Sequence, residues 1–211
     1  VLMKTALTVV ALFIGTAGHA ETITVAGGCF WCTEADFEKV EGVTEAVSGF
    51  AGGRVKNPSY EQVVNGGTGH YEAVQVTYDP DVIDRRQLYD LFFRSIDPLD
   101  DGGQFCDRGD SYRTAMWVDD AEDRAAAEAA KTAAEAELKQ SIVTPILDDA
   151  EFYPAEAYHQ DYYKSQERLA FSTVGIAVKK ETAYERYRER CGRDNRIREI
   201  WGDDAPFLPT S

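Results

Sequence analysis

Gly27-Gly28-Cys29-Phe30-Trp31-Cys32-Thr33-Glu34 is the stretch from which this chain is best read. Ile23-Thr24-Val25-Ala26, just before it, is a short apolar and β-branched run, the pattern of a buried strand broken by a Gly-Gly pair. Beyond it, Ala35, Phe37 and Val40 recur at helix-like steps, so the spacing predicts a helix over 30–40. Cys29 then stands at a strand-to-helix corner. There the unpaired N–H groups and the helix dipole favour a thiolate over a thiol. The expectation is a nucleophilic sulfur of depressed pKa, flanked by two aromatic rings. Cys29 and Cys32 also form a Cys-x-x-Cys pair, which admits a structural disulfide. A metal site fits less well, because no second Cys-x-x-Cys or His-x-x-x-His supplies further ligands.

Working outward, strands are predicted over 22–26, 43–50, 72–78 and 114–118, with helices over 30–40, 60–64 and 86–96. Ser59 caps the short helix, with Gln62 reaching back to it. The order strand–helix–strand–strand–helix–strand is the split βαβ, ferredoxin-like arrangement, an α+β two-layer sandwich. An additional alanine-rich helix over 119–140 starts from Asp119 or Asp120, and an edge strand is expected over 142–147. The segment 152–201, aromatic and charged, reads as wrapped around this body. Loop 97–110, rich in Asp and Gly, is long enough to need a function.

The chain of 211 residues suits one domain, over 21–211. Its net charge of −15 repels phosphate backbones, so nucleic acid is excluded as a partner. Residues 1–20 read as a signal peptide: Lys4 precedes an apolar run over 6–17, and Gly18-His19-Ala20 offers cleavage before Glu21. The run is too short to span a bilayer comfortably. Export to the periplasm or beyond is expected, with no stable membrane association after cleavage. That places Cys29, Cys32, Cys106 and Cys191 in an oxidising compartment, though four cysteines in this length are no disulfide scaffold.

Three loops carry groups that handle protons: Asn57-Pro58-Ser59-Tyr60, Gly69-His70-Tyr71-Glu72, and Cys106-Asp107-Arg108-Gly109-Asp110-Ser111-Tyr112-Arg113. Each borders a predicted strand, so their side chains can gather at one sheet end. Together with Gly-Cys-Phe-Trp, Asn-Pro-Ser-Tyr, Gly-His-Tyr-Glu-Ala-Val and Asp-x-Gly-x-x-Tyr-Arg, in this order, the chain resembles the A-type peptide methionine sulfoxide reductases. Phe152-Tyr153-Pro154-Ala155-Glu156 and Tyr158-His159-Gln160-Asp161-Tyr162 extend the resemblance over essentially all of 21–211.

The resemblance implies that Cys29 attacks the sulfoxide sulfur of an (S)-methionine sulfoxide, free or in an oxidised protein or peptide. It implies that Phe30 and Trp31 cage the methyl group and that Glu72 protonates the oxygen. Tyr60 and Tyr112 would hold that oxygen, and Asp107 would support the polar side. The chemistry needs these types. Sulfur becomes attackable as its oxygen gains a proton, which a buried carboxylic acid can supply near neutral pH. Phenols donate hydrogen bonds without charge, and aromatic walls reward a methyl group. Attack leaves a sulfenic acid on Cys29, and a second cysteine condenses with it. No cofactor is implied; an external thiol, a thioredoxin-like protein or dithiothreitol, reopens the disulfide.

The chain departs from the family pattern where Cys32 replaces a common glycine and where the cysteine-bearing, glycine-rich tail is missing. Cys32 and Cys191 are therefore the candidates for the resolving cysteine, with Cys32 ahead, and Cys106 can pair with Cys191 as a structural bridge. His70 and His159 are expected to be structural hydrogen-bonders. Two rival functions remain: a thioredoxin-type thiol–disulfide oxidoreductase using Cys29 and Cys32, and a secreted binding module held by two disulfides.

Overall fold

The structure, a computed structural model, describes residues 19–172, 175–203 and 205–209. The segment read as a signal peptide lies outside them except for residues 19 and 20. The chain runs through β1 (Glu21–Gly27), α1 (Phe30–Phe37), β2 (Val43–Ala51), α2 (Tyr60–Val64), β3 (Tyr71–Tyr78) and α3 (Arg85–Phe93). A small ladder of β4 (Gly103–Gln104) and β5 (Asp107–Arg108) folds the next loop, followed by β6 (Thr114–Val118), α4 (Ala121–Leu138) and β7 (Ile146–Asp148). The last part carries β8 (Tyr153–Pro154), a hairpin of β9 (Arg168–Ser172) and β10 (Gly175–Lys179), α5 (Lys180–Arg190) and α6 (Arg193–Trp201).

The main sheet has the order β7-β6-β1-β3-β2-β8. Its inner four strands, β6-β1-β3-β2, pair antiparallel in the split βαβ order that the sequence predicts. Strand alternation sorts the two faces. Ile23 and Val25 of β1, Val74 and Val76 of β3 and Met116 of β6 pack in one core with Phe37, Leu88, Phe92 and Ala130 of the helices. Burying side chains of this size is worth roughly 1.5–3 kcal/mol each. Ala26, Ala51, Ala73, Ala115 and Trp117 form a second, thinner cluster on the other face.

Local signals set the helix starts. The Ser59 hydroxyl accepts the Gln62 N–H at 3.3 Å while Gln62 accepts the Ser59 N–H at 2.9 Å, as expected. Asp84 and Gln87 build the same box for α3, so that helix begins at Arg85. Asp120 caps α4 through the Asp123 N–H at 2.8 Å.

Two expectations need correction. The first helix ends at Phe37; Lys39 and Val40 bond back to Asp36 and Phe37, a tightened turn that leaves the helix before Gly42 (φ 94°). The edge strand is β7, parallel to β6, and does not include Ile142, which is drawn into the core instead. The segment 152–201 wraps this body as expected, with a hairpin and two helices of its own, and Tyr162, Ala183 and Tyr184 from it pack directly against Cys29 and Cys32.

One contact fixes the corner. Gly28 has φ 81°, and a Cβ there would lie 2.5 Å from Cβ of Gln104. Gln104 is fully buried and ties the 97–110 loop by accepting the Asp97 N–H at 2.9 Å and donating to its carbonyl at 2.8 Å. Gly28→Ala is expected to lower stability by about 2–4 kcal/mol, from strain plus overpacking. Urea unfolding of the reduced protein measures it, and a loss under half a kcal/mol contradicts this account of the turn.

Candidate active site

The corner delivers Cys29 and then Phe30, the first residue of α1. No side chain of its own caps this helix. The free Phe30 N–H instead donates to Oε2 of Glu72 at 3.0 Å. Glu72 comes from β3, which runs antiparallel beside β1 with Val25 opposite Val74, so two residues further Glu72 stands level with the end of β1. The sheet register thus carries a carboxyl group to a helix N-terminus.

A cavity of about 60 Å³ opens there, lined by Cys29, Phe30, Trp31, Tyr60, Glu72, Asp107, Tyr112 and Tyr187. Seven of these eight are residues singled out in the sequence. Phe30 is buried against Phe50 at 5.9 Å, Tyr60 at 6.1 Å and His159 at 5.1 Å between ring centroids. Trp31 lies flat on Tyr162, with centroids 3.8 Å apart and planes 10° apart. Rings held from behind in this way are rigid apolar walls. The polar side is built by Glu72, Tyr60, Tyr112 and Asp107, whose carboxylate accepts the Tyr187 hydroxyl.

Electrostatics divide the labour. Burial pushes the Glu72 carboxyl up to about 8; the Phe30 N–H pulls the other way, and Asp107 and Cys32 add to the rise. Burial wins because a carboxylate there has lost its water and gained one hydrogen bond. At pH 7 the group is held in its protonated form. Burial also pushes the Tyr60 and Tyr112 hydroxyls well above their ordinary range, with Glu72 adding to it, so both remain donors. Asp107 is raised by burial too, against the Tyr187 hydrogen bond.

The expected depression of Cys29 is corrected. Burial, its hydrogen bond to Cys32 and the Cys32, Glu72 and Asp107 charges push its thiol up. Although Cys29 is the N-cap residue, its sulfur makes no cap hydrogen bond, and the first-turn N–H groups of Cys32 and Thr33 bond its carbonyl instead. Cys32 goes the other way: its neighbour Cys29 lowers it most, against burial, and the positive charges of Arg193 and Arg188 add to the lowering. The pair is buried, 6% and 2% exposed, and neither sulfur is in a disulfide.

Cys106 is bridged to Cys191, as anticipated. The bridge lies beside the pocket wall, for its sulfurs and an Asp107 carboxylate oxygen are all within 4.8 Å of one another. His70 does what was expected, accepting the Gly53 N–H at 3.1 Å and bonding the Val55 carbonyl at 2.7 Å. His159 does not: neither ring nitrogen has a hydrogen-bond partner, and its ring packs on Phe30 and, at 4.4 Å, on Tyr60. Burial lowers it to about 4, so it packs as a neutral ring. Tyr187 is the pocket residue that the sequence reading missed; Tyr184-x-x-Tyr187-Arg188, a helical spacing, was the available signal.

Comparison with known proteins agrees with this geometry. The family model for peptide methionine sulfoxide reductase matches residues 21–191. The chain is 45% identical over 187 residues to peptide methionine sulfoxide reductase MsrA of Bacillus pumilus, covering 88% of this chain and 97% of that one. It is 42% identical over 196 residues to MsrA/MsrB of Vibrio cholerae, covering 92% of this chain but only 48% of the relative, so it spans about half that protein's length. Among solved structures, methionine sulfoxide reductase A of Corynebacterium diphtheriae superposes with a TM-score of 0.63 at 30% identity, over 78% of this chain and 84% of that one.

The Glu72 pKa has a thermodynamic consequence. Below about 4.5, its ordinary value, the folded and unfolded chains both hold the proton. Above it the unfolded chain ionises first, so this group costs stability increasingly up to about 8, where the folded form ionises as well. Glu72→Gln keeps an acceptor for the Phe30 N–H and removes that cost. Its stability relative to the parent is expected to rise steadily across this window in urea titrations, and a constant difference contradicts the assignment.

Proposed function

The chain belongs to the peptide methionine sulfoxide reductase family, and on that premise we propose how it carries out the thiol-dependent reduction of (S)-methionine sulfoxide to methionine. One observation carries the reading: a buried, protonated carboxyl group and a cysteine sulfur share one small cavity with two aromatic walls. The sulfoxide methyl group packs against Phe30 and Trp31, and its oxygen takes hydrogen bonds from Glu72, Tyr60 and Tyr112. The Cys29 sulfur attacks the substrate sulfur as Glu72 gives its proton to the oxygen. The Cys29 proton passes to its buried neighbour Cys32, and from there restores the Glu72 carboxyl. The oxygen ends on Cys29 as a sulfenic acid and the thioether leaves. Substrate sulfur is reduced by two electrons and Cys29 is oxidised by two.

Cys32 is the first resolving thiol in this reading. It is free and shares one buried cluster with Cys29, whereas Cys191 is engaged with Cys106. Condensation gives a Cys29–Cys32 disulfide and water. Exchange with the reduced Cys106–Cys191 pair then moves the oxidation outward, where Cys106 is exposed to a thioredoxin-like reductant. Free thiols in the pocket and a disulfide at its rim are the pairing that such a transfer leaves behind. The thioredoxin-type alternative is disfavoured because neither Cys29 nor Cys32 is exposed enough to meet a protein disulfide.

Residues 1–20 act as a leader peptide in this reading, and the enzyme works outside the cytoplasm on oxidised proteins. Support comes from the apolar run behind Lys4, with β1 and the family match both beginning at Glu21.

With dithiothreitol, the protein is expected to reduce one epimer of a methionine sulfoxide peptide, the S form, and Cys29→Ser is expected to abolish this. The single-turnover rate should change slope near pH 8, where Glu72 ionises. Glu72→Gln should remove that change and slow the step by about 10²–10⁴-fold. The Cys106→Ser, Cys191→Ser double variant should release one methionine per chain and form the Cys29–Cys32 bond, yet stall with a protein reductant. Disulfide formation to Cys191 at the parental rate in Cys32→Ser overturns the order of resolution.

A further inference from the structure

The rim of the pocket gathers three groups of metal-ligating chemistry. Cys106 stands in the turn between β4 and β5, and Asp107 follows it as the first residue of β5, held there by pairing with Gln104. Cys191 closes α5 from the other side, its N–H donating to the Tyr187 carbonyl at 2.9 Å. The two cysteine Cα atoms are 4.8 Å apart. One Asp107 oxygen, Oδ2, accepts the Tyr187 hydroxyl; the other, Oδ1, lies 3.9 Å from Sγ of Cys106. A carboxylate oxygen and both sulfurs thus stand within 4.8 Å of one another. Bonded to each other, the sulfurs are poor ligands. Reduced, they are two thiols beside a carboxylate. Two thiolates at about 2.3 Å from one tetrahedral zinc ion stand under about 4 Å apart, a separation that these backbone positions allow. The other cluster of this kind, Glu34, Glu38 and Asp161, is already engaged: Ser48, the Asp161 N–H, Tyr163 and Lys164 donate to its glutamate oxygens.

We propose that reduction of the Cys106–Cys191 bridge creates a zinc site, with both thiolates and an Asp107 oxygen as ligands. The site goes beyond the sulfoxide chemistry and does not depend on the order in which the cysteines are resolved. Reduction by an external dithiol breaks the S–S bond, puts one proton on each sulfur and closes the dithiol to its own disulfide. Zinc then displaces both protons, and no electrons move: the ion stays divalent and the sulfurs stay reduced. Thiolates select a borderline-soft ion such as zinc over calcium or magnesium, which take oxygen ligands. Cys106 is exposed, so solvent supplies the fourth ligand. The Tyr187 hydroxyl holds the second Asp107 oxygen and so orients the carboxylate, as outer partners do at metal sites. The consequence is a redox-gated block. Zinc binds only the reduced rim, and while bound it keeps both sulfurs out of disulfide exchange.

The test uses the full chain without an affinity tag, compared with its bridge intact and after reduction by a phosphine that is then removed. Zn²⁺ is titrated in competition with a chromophoric chelator. The reduced chain is expected to take up a single ion, and the chain with its bridge intact none. Cobalt in place of zinc is expected to show the sulfur-to-metal charge-transfer band and visible bands of a tetrahedral site. The Cys29→Ser, Cys32→Ser double variant is expected to bind as the parent does, which separates this site from the pocket thiols. Cys106→Ser, Cys191→Ser is expected to lose the ion, and Tyr187→Phe to hold it about tenfold more weakly. Equal uptake by the oxidised chain, uptake retained in Cys106→Ser, Cys191→Ser, or unchanged affinity in Asp107→Asn overturns the proposal. If these variants do not fold, alkylation of the unmutated reduced chain, mapped by mass spectrometry, decides. Protection of Cys106 by zinc supports the site, and equal labelling with and without zinc overturns it.

Discussion

The hydrogen bond from the Phe30 N–H to Glu72 is the constraint on which the site depends. It joins the first turn of α1 to β3, and it exists because the antiparallel register of β1 and β3 brings residue 72 level with the corner. A helix N-terminus normally favours a carboxylate. Here one N–H is not enough to replace lost water, so the same contact that orients Glu72 leaves it an acid. Orientation and protonation come from one arrangement.

The surrounding structure protects that balance. The Gly28 turn closes over Gln104, which pins the loop bearing Asp107 and Tyr112. On the other side the late segment 152–201 supplies Tyr162 behind Trp31 and His159 behind Phe30. Glu34, from the same helix as Cys32, accepts the Ser48 hydroxyl and, at 2.5 Å, the Asp161 N–H, which anchors that segment to α1 and β2. The catalytic helix is thus held at its start and again at its middle, and the aromatic pocket walls are fixed by packing.

Most of this was legible in the sequence where one residue type answers to one physical need. The Gly-Gly break located the corner, the alternating β3 located Glu72, and Ser59 with Gln62 fixed the helix start at Tyr60. The late segment was not legible for a definite reason. The buried positions of α5 are Lys180, Ala183, Tyr184 and Arg188, a helical spacing carried by charged residues that a hydrophobicity pattern does not register. Tyr187 went unread with them. The direction of the Cys29 shift is not legible in the sequence, because position at a helix terminus does not decide it. Burial and a neighbouring sulfur outweigh a terminus whose N–H groups bond the Cys29 carbonyl. His159 failed as a hydrogen-bonder because rings pack around it and the Glu156 carboxylate stops 3.9 Å short of its Nε2.

The central claim is that Glu72 is a neutral acid at the pH at which the enzyme works. Infrared difference spectroscopy of the reduced protein against Glu72→Gln reports this directly, without substrate or turnover. The account predicts a protonated-carboxyl stretch at pH 7 that belongs to Glu72 and disappears as the pH passes about 8. A difference spectrum showing only the ionised carboxylate at pH 7 would contradict it.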